Sequence, residues 1–552
     1  MKYDELTHSQ KAAVDQRGSI LVSAAAGSGK TAVLVERIIK ELTAEDDHIN
    51  ADRLLVVTFT VAAAAEMRSR IEKGLDDYCA EHPDDTNALK QKLLLQSAKI
   101  CTIDSFCIDM VRENFAKAGV APDFKIAEDK DIFLMEEKAL SKVFAKYFES
   151  DDQDFIKLLN AFGSVYDEGE LMKAVKKIYN FSQNLPFPEI WFESAEDRYT
   201  PQSFDMWCDL AFKEAKRRIS IASRFVNATE PYFDNDEDVK NAYSKTLEDA
   251  GETCDKLNEA ADNRDWDALK NGLDYKWKSF GSISKSKENP NAVAVTALRD
   301  LCKAQLDKIK KIFDADLAVV KTRFLDNAPT SKTLIHLSRE YAKAFNQEKK
   351  ENNCYTFSDI EHLAFSLICR LVDGEVVLTD EAKEYVENFD EVLVDEYQDV
   401  NDLQDTFFHY LSDYGKHLFV VGDVKQSIYG FRGANPENFI EKINKSVKYD
   451  IAREDDIKSI VLDANFRSRS GICDFVNFTF DKLMTKDTSG ISYMDTERLS
   501  PEAKYPESEE PCAEVHIFES NDNKKEAIHI ADCIEKVMAS GEIITDEITK
   551  EL

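Results

Sequence analysis

The chain of 552 residues lacks the features that mark membrane-spanning and secreted proteins. No apolar run approaches the ~20 residues that a transmembrane helix needs, and residues 1–6 lack the apolar core of a signal peptide. The 11 cysteines are scattered without a Cys-x-x-Cys pair, and the nine histidines show no metal-ligand spacing. These absences argue against a disulfide framework or a zinc site and favour a reducing compartment.

Positive charge is also scarce, because 71 lysines and arginines face 105 aspartates and glutamates, for a net charge of −34. Taken alone, this balance argues against a polyanionic partner such as nucleic acid. A local cationic or aromatic groove can nevertheless bind single-stranded DNA on an acidic protein. We therefore interpret the acidity as a solubility trait that leaves the partner open.

The length exceeds what one hydrophobic core supports and predicts roughly three or four structural units. Short apolar runs typical of buried strands are followed by helical patterns, which is the alternation of a mostly parallel sheet. These runs cover residues 19–22, 54–58 and 99–102, and then 391–394, 418–421 and 459–462. We therefore predict an α/β domain with a parallel sheet, formed by residues 1–115 and 351–470.

Residues 116–350 have a different texture, with long polar segments of helical spacing such as 131–150 and 297–324. All four tryptophans lie here, among many phenylalanines, whereas a disordered linker would hold few aromatics. We predict that this stretch is a helical insertion domain within the α/β domain.

Residues 471–552 are expected to form the start of a second lobe. The sequence predicts a strand at 513–518 and a helix at 525–540, and the chain ends soon after a strand-like segment at 542–544. We therefore expect this second lobe to be truncated.

A glycine-rich loop between a predicted strand and a predicted helix is the most informative motif. Such a loop turns backbone N–H groups toward an anion at the helix N-terminus, as in phosphate-binding P-loops. Lys30 adds a point charge for the β and γ phosphates, and the Thr31 hydroxyl can ligate Mg²⁺. The loop consists of Ala24, Ala25, Ala26, Gly27, Ser28 and Gly29, and is followed by Lys30 and Thr31. An ordinary glycine-rich turn is the alternative interpretation.

Two acids follow the apolar run at 391–394, where a P-loop protein needs a carboxylate partner. Asp395 is predicted to hold Mg²⁺, and Glu396 to polarise the attacking water. The alternative is an acidic strand end that caps the next helix.

Two further strand ends carry polar motifs. After residue 421, Gln426 is placed to sense the γ-phosphate, and Tyr429, Phe431 and Arg432 suggest a platform for stacking bases. After residue 462, Arg467 could stabilise charge on the transferred phosphoryl group. A buried Tyr/Phe pair and a surface ion pair are the respective alternatives.

The order of these motifs resembles that of the UvrD/Rep superfamily 1 DNA helicases. The series is LTHSQ, AAAGSGKT, VTFT, TIDSFC, DEYQD, GDVKQSIYGFRGA and NFRSR. The segments AAAGSGKTAVLVERI and GDVKQSIYGFR, and the long insertion, resemble more narrowly the helicase–nuclease subunits of bacterial AddAB-type exonucleases. The resemblance implies RecA-like lobes, and ATP and Mg²⁺ as cofactors.

The resemblance also implies roles for individual residues. Gln10 would contact adenine, Arg37 would contact the nucleotide, Phe466 would stack on adenine, and Arg467 would be an arginine finger. Single-stranded DNA would meet Phe59, Tyr429, Phe431 and Arg432, and its backbone would meet Thr58 and Ser105. Asp104 replaces a common histidine, and because an acid would repel phosphate we assign it no DNA role.

For the parent protein, the resemblance implies a bacterial cytoplasmic 3′-to-5′ helicase that processes double-strand-break ends. Its partners would be single-stranded and duplex-end DNA and an AddB-like subunit, with no membrane. A nuclease domain and the remaining helicase motifs would lie beyond this chain. A monomeric UvrD/Rep-type repair helicase and an ATP-gated protein-binding switch without DNA are the alternatives.

Overall fold

The computed structural model describes residues 3–46, 48–150, 152–163, 168–234, 236–283, 286–493, 497–505, 513–517 and 522–540. The chain divides into two compact units. The first comprises Met1–Gly119, Asp359–Met484 and Ser492–Leu552, and the second comprises Val120–Ser358 and Thr485–Ile491. Within the described ranges, no helix has both the length and the apolar character needed to cross a membrane.

A seven-stranded parallel sheet is the centre of the first unit, in the order β10-β11-β1-β9-β8-β2-β3. The predicted α/β fold class with a parallel sheet is therefore confirmed. The sheet consists of β1 (Ile20–Ala24), β2 (Leu54–Thr58), β3 (Lys99–Thr102), β8 (Glu391–Val394), β9 (Leu418–Gly422), β10 (Val447–Lys448) and β11 (Lys458–Leu462).

Four of these strands, β1, β2, β8 and β9, are buried along their whole length, since helices cover both faces of a parallel sheet. The helices of this unit are α1 (His8–Asp15), α2 (Lys30–Thr43), α3 (Val61–Glu81), α4 (Thr86–Leu94), α5 (Ile103–Glu113), α6 (Phe115–Ala118), α17 (Phe357–Ile368, which begins in the second unit), α18 (Ala382–Asn388), α19 (Asp402–Leu411), α20 (Pro436–Lys445), α21 (Ser470–Leu483) and α23 (Asn523–Ser540). A hairpin of β6 (Cys369–Val372) and β7 (Glu375–Leu378) and a short pair of β12 (Ala464–Asn465) and β13 (Ser500–Pro501) complete it.

The second unit is helical, apart from a short parallel pair of β4 (Lys125–Ile126) and β5 (Cys354–Tyr355). Its helices are α7 (Asp129–Glu149), α8 (Gln153–Ala161), α9 (Gly169–Ser182), α10 (Pro188–Asp197), α11 (Phe204–Asn227), α12 (Glu230–Asp234), α13 (Glu237–Asp262), α14 (Trp266–Leu273), α15 (Pro290–Lys310), α16 (Leu317–Glu351) and α22 (Lys486–Ser489). Aromatic side chains dominate its cores. Trp266, for example, is buried between Phe212 and Phe313.

The expectation of continuous helical structure over 297–324 is wrong, because α15 ends at Lys310 and α16 begins at Leu317. Phe313, in the break between the two helices, is 1% exposed, and its ring packs against Trp266 and Phe212. Burial of this aromatic ring in the break compensates for the interrupted helix.

The strand expected at 513–518 is also wrong over residues 513–517, which have no regular secondary structure. A strand needs a neighbouring strand for its N–H and C=O groups, and neither the seven-stranded sheet nor the smaller sheets include this segment. The helix predicted at 525–540 is present as α23, whereas the strand-like 542–544 and Phe518 lie outside the described residues.

Candidate nucleotide site and neighbouring aromatic surface

The glycine-rich loop lies between the carboxyl end of β1 and the start of α2, as the sequence predicts. Gly27 (φ +75°) and Gly29 (φ +80°) adopt left-handed backbone conformations that favour glycine. A Cβ atom at Gly27 would lie 2.9 Å from the Cβ of Arg467, so a side chain there would displace the loop after β11. The first-turn N–H groups of α2 have no acceptor within the helix and can bind an anion.

Ser28 and Gln10 line the inner side of this loop. Ser28 is 1% exposed, and its Oγ has no hydrogen-bond partner among the described residues, as expected of a cradle that a phosphate would complete. The Gln10 Nε2 donates to the Ser28 carbonyl at 2.9 Å, and its Oε1 accepts from the Thr7 N–H at 2.9 Å. Gln10 therefore braces the loop in this structure, and an adenine contact would require it to exchange these bonds.

Lys30 and Glu396 meet at the carboxyl edge of the sheet. The Lys30 Nζ donates to Glu396 Oε1 at 3.2 Å and to Oε2 at 3.0 Å. The two side chains are 14% and 34% exposed, so the pair is open to a ligand. Glu396 has a left-handed backbone (φ +52°), a strained conformation for a non-glycine residue that is common at functional sites. Thr31 follows Lys30 on the first turn of α2.

Asp395 and Asp399 lie beside Glu396 and are harder to ionise than ordinary aspartates. Burial, reinforced by the negative charge of Glu396, raises the pKa of Asp395 from 3.8 to about 6. The same two causes raise the pKa of Asp399 to about 6. A crowded set of carboxylates with raised pKa values favours a divalent cation, which relieves the repulsion.

Gln398 connects this carboxylate cluster to the loop after β9. Its Nε2 donates to Glu396 Oε2 at 2.8 Å, and its Oε1 accepts from the Asp423 N–H at 2.8 Å. Asp423 in turn accepts from the Gln426 side-chain Nε2 at 2.8 Å. Gln426, the proposed γ-phosphate sensor, is thus held at the same edge of the sheet as Lys30 and Glu396.

Asn465, on β12, connects the glycine-rich loop to the segment that follows β11. Its Nδ2 donates to the Ala26 carbonyl at 2.8 Å, and its Oδ1 accepts from the N–H groups of Arg467 at 3.0 Å and Ser468 at 2.7 Å. The Phe466 N–H donates to the Gly27 carbonyl at 2.9 Å. The structure therefore brings Phe466 and Arg467, both predicted nucleotide-site residues, against the loop.

Arg37 does not lie at this site, and its predicted role as a nucleotide contact is not supported. It is 1% exposed and lies at the amino end of β8, where its Nε and Nη2 donate to Glu391 Oε1 at 2.9 and 2.5 Å. Its Nη1 donates to the carbonyls of Ala13 and Gln16, and its guanidinium lies over the Phe419 ring. These contacts occupy the guanidinium and make Arg37 part of the core.

The predicted contact of Thr58 with a DNA backbone is likewise not supported in this conformation. Thr58 is 2% exposed, and its hydroxyl donates to the Thr60 carbonyl at 3.1 Å. Ser105 is partly exposed, and its hydroxyl hydrogen-bonds to that of Thr102 at 2.9 Å. Asp104 is partly buried, and burial raises its pKa, which agrees with giving it no phosphate-binding role.

The four predicted base-stacking residues come together as one aromatic surface, defined by Phe59, Tyr429, Phe431 and Arg432. Phe59 follows β2, and its ring centroid lies 4.8 Å from that of Tyr429. The Tyr429 and Phe431 centroids are 5.9 Å apart, and the Arg432 guanidinium lies 5.6 and 5.7 Å from the two. Phe431 is 79% exposed, which excludes the alternative of a buried aromatic pair.

The parallel sheet, the glycine-rich loop and the carboxylates that face Lys30 define a P-loop nucleotide-binding domain. The chain belongs to the UvrD/REP helicase family, whose N-terminal domain matches residues 6–447.

Several curated relatives are named as the A subunit of an ATP-dependent helicase/nuclease. The protein of Acetivibrio thermocellus is 34% identical over 530 residues, covering 92% of this chain and 42% of the relative. Those of Clostridium botulinum and Clostridium beijerinckii are each 34% identical, covering 94% and 99% of this chain and 43% and 45% of the relatives. The chain therefore spans less than half the length of these relatives.

Sequence reasoning missed two side chains that hold the site together, Gln398 and Asn465. Both stand inside recognised motifs, and their near-complete burial is the signal that the sequence lacks. It also missed a cluster of His516, His529 and Cys533, so the expectation that the histidines and cysteines form no possible metal site is wrong. The spacing of His529 and Cys533 on one helix could have indicated it.

Proposed function

We propose that this chain is the nucleotide-binding part of an ATP-dependent DNA helicase, of the type in which helicase and nuclease share one large subunit. The observation that carries the proposal is the position of the aromatic surface beside the Lys30–Glu396 pair. Phe59 follows β2, Glu396 follows β8, and Tyr429 follows β9, and these three strands are neighbours in the sheet. A nucleotide site and a base-stacking surface on adjacent loops are what a motor on single-stranded DNA requires.

At the nucleotide site, Lys30 exchanges partners. It is bound to Glu396 here, and it turns to the β and γ phosphates when ATP binds because these carry more negative charge. Glu396 is then released to orient the attacking water and accept its proton. Thr31 and Asp395 supply the hydroxyl and carboxylate that would hold Mg²⁺, which neutralises charge on the phosphates when bound.

Gln398 provides the connection from this exchange to the aromatic surface. It bonds Glu396 on one side and the Asp423 backbone on the other, and the chain runs from Asp423 directly to Tyr429. A change in the position of Glu396 therefore moves the loop that carries Tyr429 and Phe431. In this way the state of the nucleotide changes the grip on stacked bases.

The wider role is part of the same proposal. Movement would be 3′ to 5′, and the biological task would be processing of duplex ends during double-strand-break repair, together with an AddB-like subunit. The boundaries of a RecA-like lobe over 1–115 and 351–470, an insertion over 116–350, and the start of a second lobe over 471–552 also belong to it. The shared names of the relatives support this role.

The test is a titration of a fluorescent single-stranded oligonucleotide with the protein, Mg²⁺ and a non-hydrolysable ATP analogue. We expect Phe431→Ala to weaken binding by about 1–3 kcal/mol, the usual value of one base-aromatic stack. Phe478→Ala is the matched control, because Phe478 is 63% exposed in the same unit and also lies beside a cation, Lys482. It should leave the affinity unchanged.

Two results would contradict the proposal. Equal affinity of wild type and Phe431→Ala would remove the aromatic surface from the DNA interface. Analogue binding without any oligonucleotide binding would favour an ATP-gated switch that acts on a protein.

A further inference from the structure

Three side chains near the end of the described chain converge with their donor atoms toward one point. His529 and Cys533 lie four residues apart on α23, which places them on the same helix face. His516 comes from the segment 513–517. The His516 Nδ1 is 3.2 Å from the His529 Nε2, and the Cys533 Sγ is 3.6 Å from the His529 Nε2 and 4.0 Å from the His516 Nδ1.

These separations match the edges of a tetrahedral zinc site. Zinc–nitrogen bonds of about 2.0–2.1 Å and a zinc–sulfur bond of about 2.3 Å give edges of about 3.3 Å between nitrogens and about 3.6 Å between nitrogen and sulfur. The observed distances of 3.2, 3.6 and 4.0 Å depart from those edges by a few tenths of an ångström. The three donors therefore accommodate one ion with little movement.

The chemistry of the donors selects the metal. Two imidazole nitrogens and one thiolate suit Zn²⁺, whereas Mg²⁺ and Ca²⁺ require oxygen ligands. The Glu514 Oε2 lies 2.9 Å from the His516 Nε2, the ring nitrogen that faces away from the cluster. A carboxylate in that position fixes the tautomer that leaves Nδ1 available to the metal, as in carboxylate–histidine–zinc arrangements.

We infer that His516, His529 and Cys533 form a zinc site, with Glu514 as a positioning residue and the fourth coordination position taken by water. The site is separate from the proposed Mg²⁺ position at Thr31 and Asp395. Its physical role is to attach the segment 513–517 to α23. That helix has no buried residue in this structure, so apolar packing contributes little to holding the two together.

The experiment uses the 552-residue chain, freed of metal by a chelator, with Co²⁺ as a spectroscopic substitute for Zn²⁺. We expect one equivalent of Co²⁺ to produce a thiolate-to-cobalt charge-transfer band together with the visible bands of tetrahedral cobalt. One equivalent of Zn²⁺ should abolish both. Cobalt bound by Thr31 and Asp395 would have oxygen ligands only and would give no charge-transfer band.

Two pairs of variants assign the ligands. Cys533→Ser should lose the charge-transfer band, whereas Cys79→Ser, which changes another partly exposed cysteine on α3, should keep it. His516→Ala should weaken Co²⁺ binding at least tenfold, whereas His336→Ala, with a side chain that is 53% exposed, should not. Glu514→Gln should weaken binding about 10- to 100-fold and keep the band.

The inference fails if the wild-type chain gives no charge-transfer band, or if Cys533→Ser and His516→Ala both bind Co²⁺ as the wild type does. Because His516 lies outside α23, a helix disrupted by Cys533→Ser cannot account for a loss of binding in His516→Ala. Far-ultraviolet circular dichroism of each metal-free variant checks that the fold is retained.

Discussion

Helix α2 forms an ion pair at each end of the same sheet, and the two pairs differ in almost every physical respect. At its start, Lys30 meets Glu396 beyond the carboxyl end of β8, with side chains that are 14% and 34% exposed. Further along the helix, Arg37 meets Glu391 at the amino end of β8, with side chains that are 1% and 6% exposed. The Arg37 pair is saturated by backbone carbonyls and by the Phe419 ring, whereas the Lys30 pair adjoins carboxylates with raised pKa values.

The difference shows how one helix can serve stability and chemistry together. A buried and saturated pair cannot exchange partners without leaving a charge unpaired in the core, so it fixes the helix on the sheet. A half-exposed pair can exchange partners at small cost because water and ligands reach it. We therefore assign the Arg37 pair to stability and the Lys30 pair to nucleotide binding, and each prediction below tests that division.

The largest effect is expected at the buried end. Arg37→Met should lower the free energy of unfolding by about 3–5 kcal/mol, because Glu391 is left charged and unpaired in the core. Denaturant unfolding measures this. Lys40→Met is the matched control on the same helix, since Lys40 and Asp15 form a surface pair with side chains that are 48% and 38% exposed, and it should cost no more than about 1 kcal/mol. Equal costs for the two variants would contradict the division.

At the open end, Lys30→Ala should leave the free energy of unfolding nearly unchanged, because water replaces Lys30 beside Glu396. It should weaken binding of a fluorescent ATP analogue by about 1.5–3 kcal/mol, the value of a hydrogen bond to a charged group. Titration at fixed Mg²⁺ checks this. Unchanged affinity, or a loss of stability like that of Arg37→Met, would count against the assignment.

The raised pKa of Asp395 gives the open end a pH dependence that the buried end lacks. A carboxyl group whose pKa is about 6 in the folded protein and 3.8 otherwise stabilises the fold fully below about pH 4, and this contribution is lost as the pH rises through about 6. Asp395→Asn should therefore be more stable than wild type at pH 8, by about 1–2 kcal/mol after allowance for partial exposure, and equal at pH 4.

Because Mg²⁺ binds the ionised carboxylate, Mg²⁺-dependent analogue binding by the wild type should also strengthen between about pH 5 and 7. Unfolding and binding titrations at several pH values test both statements. Identical pH profiles for wild type and Asp395→Asn would refute them.

The smallest effect concerns the support of the glycine-rich loop. Asn465→Ala removes the hydrogen bond to the Ala26 carbonyl and the two accepted from Arg467 and Ser468. We expect a loss of about 1 kcal/mol in analogue affinity, or about fivefold, because the loop is less well ordered before binding. Asn438→Ala, which removes an amide that bonds Asp402 on α19, is the control and should leave nucleotide affinity unchanged. The idea fails if the two variants bind the analogue equally well.

The sequence predicts the parallel sheet well because its strands are short, largely apolar and rich in β-branched residues, and each predicted boundary is right within two residues. The carboxyl-edge loops follow from the same pattern, since polar motifs after parallel strands must meet at one edge. Phe59, Tyr429, Phe431 and Arg432 could be grouped for that reason, although their DNA contact stays a prediction.

Failures arise where the outcome depends on a distant partner. Arg37 is a polar residue on a helix beside the P-loop, and nothing local shows that Glu391, 354 residues away in the chain, lies opposite it. The bonds of Gln398 and Asn465, and the approach of His516 to α23, depend on the same kind of long-range placement. Periodicity and motif order do not contain that information.

The most direct test of the division between the two ion pairs is thermal unfolding with and without Mg²⁺ and the ATP analogue. Three proteins are compared: wild type, Lys30→Ala, and the double variant Arg37→Met with Glu391→Leu, in which replacing the whole buried pair restores much of the stability. We predict that the analogue raises the unfolding midpoint of the wild type and the double variant equally, but leaves that of Lys30→Ala unchanged. A double variant that folds but no longer responds to the analogue, or a Lys30→Ala protein that still responds fully, would contradict the account.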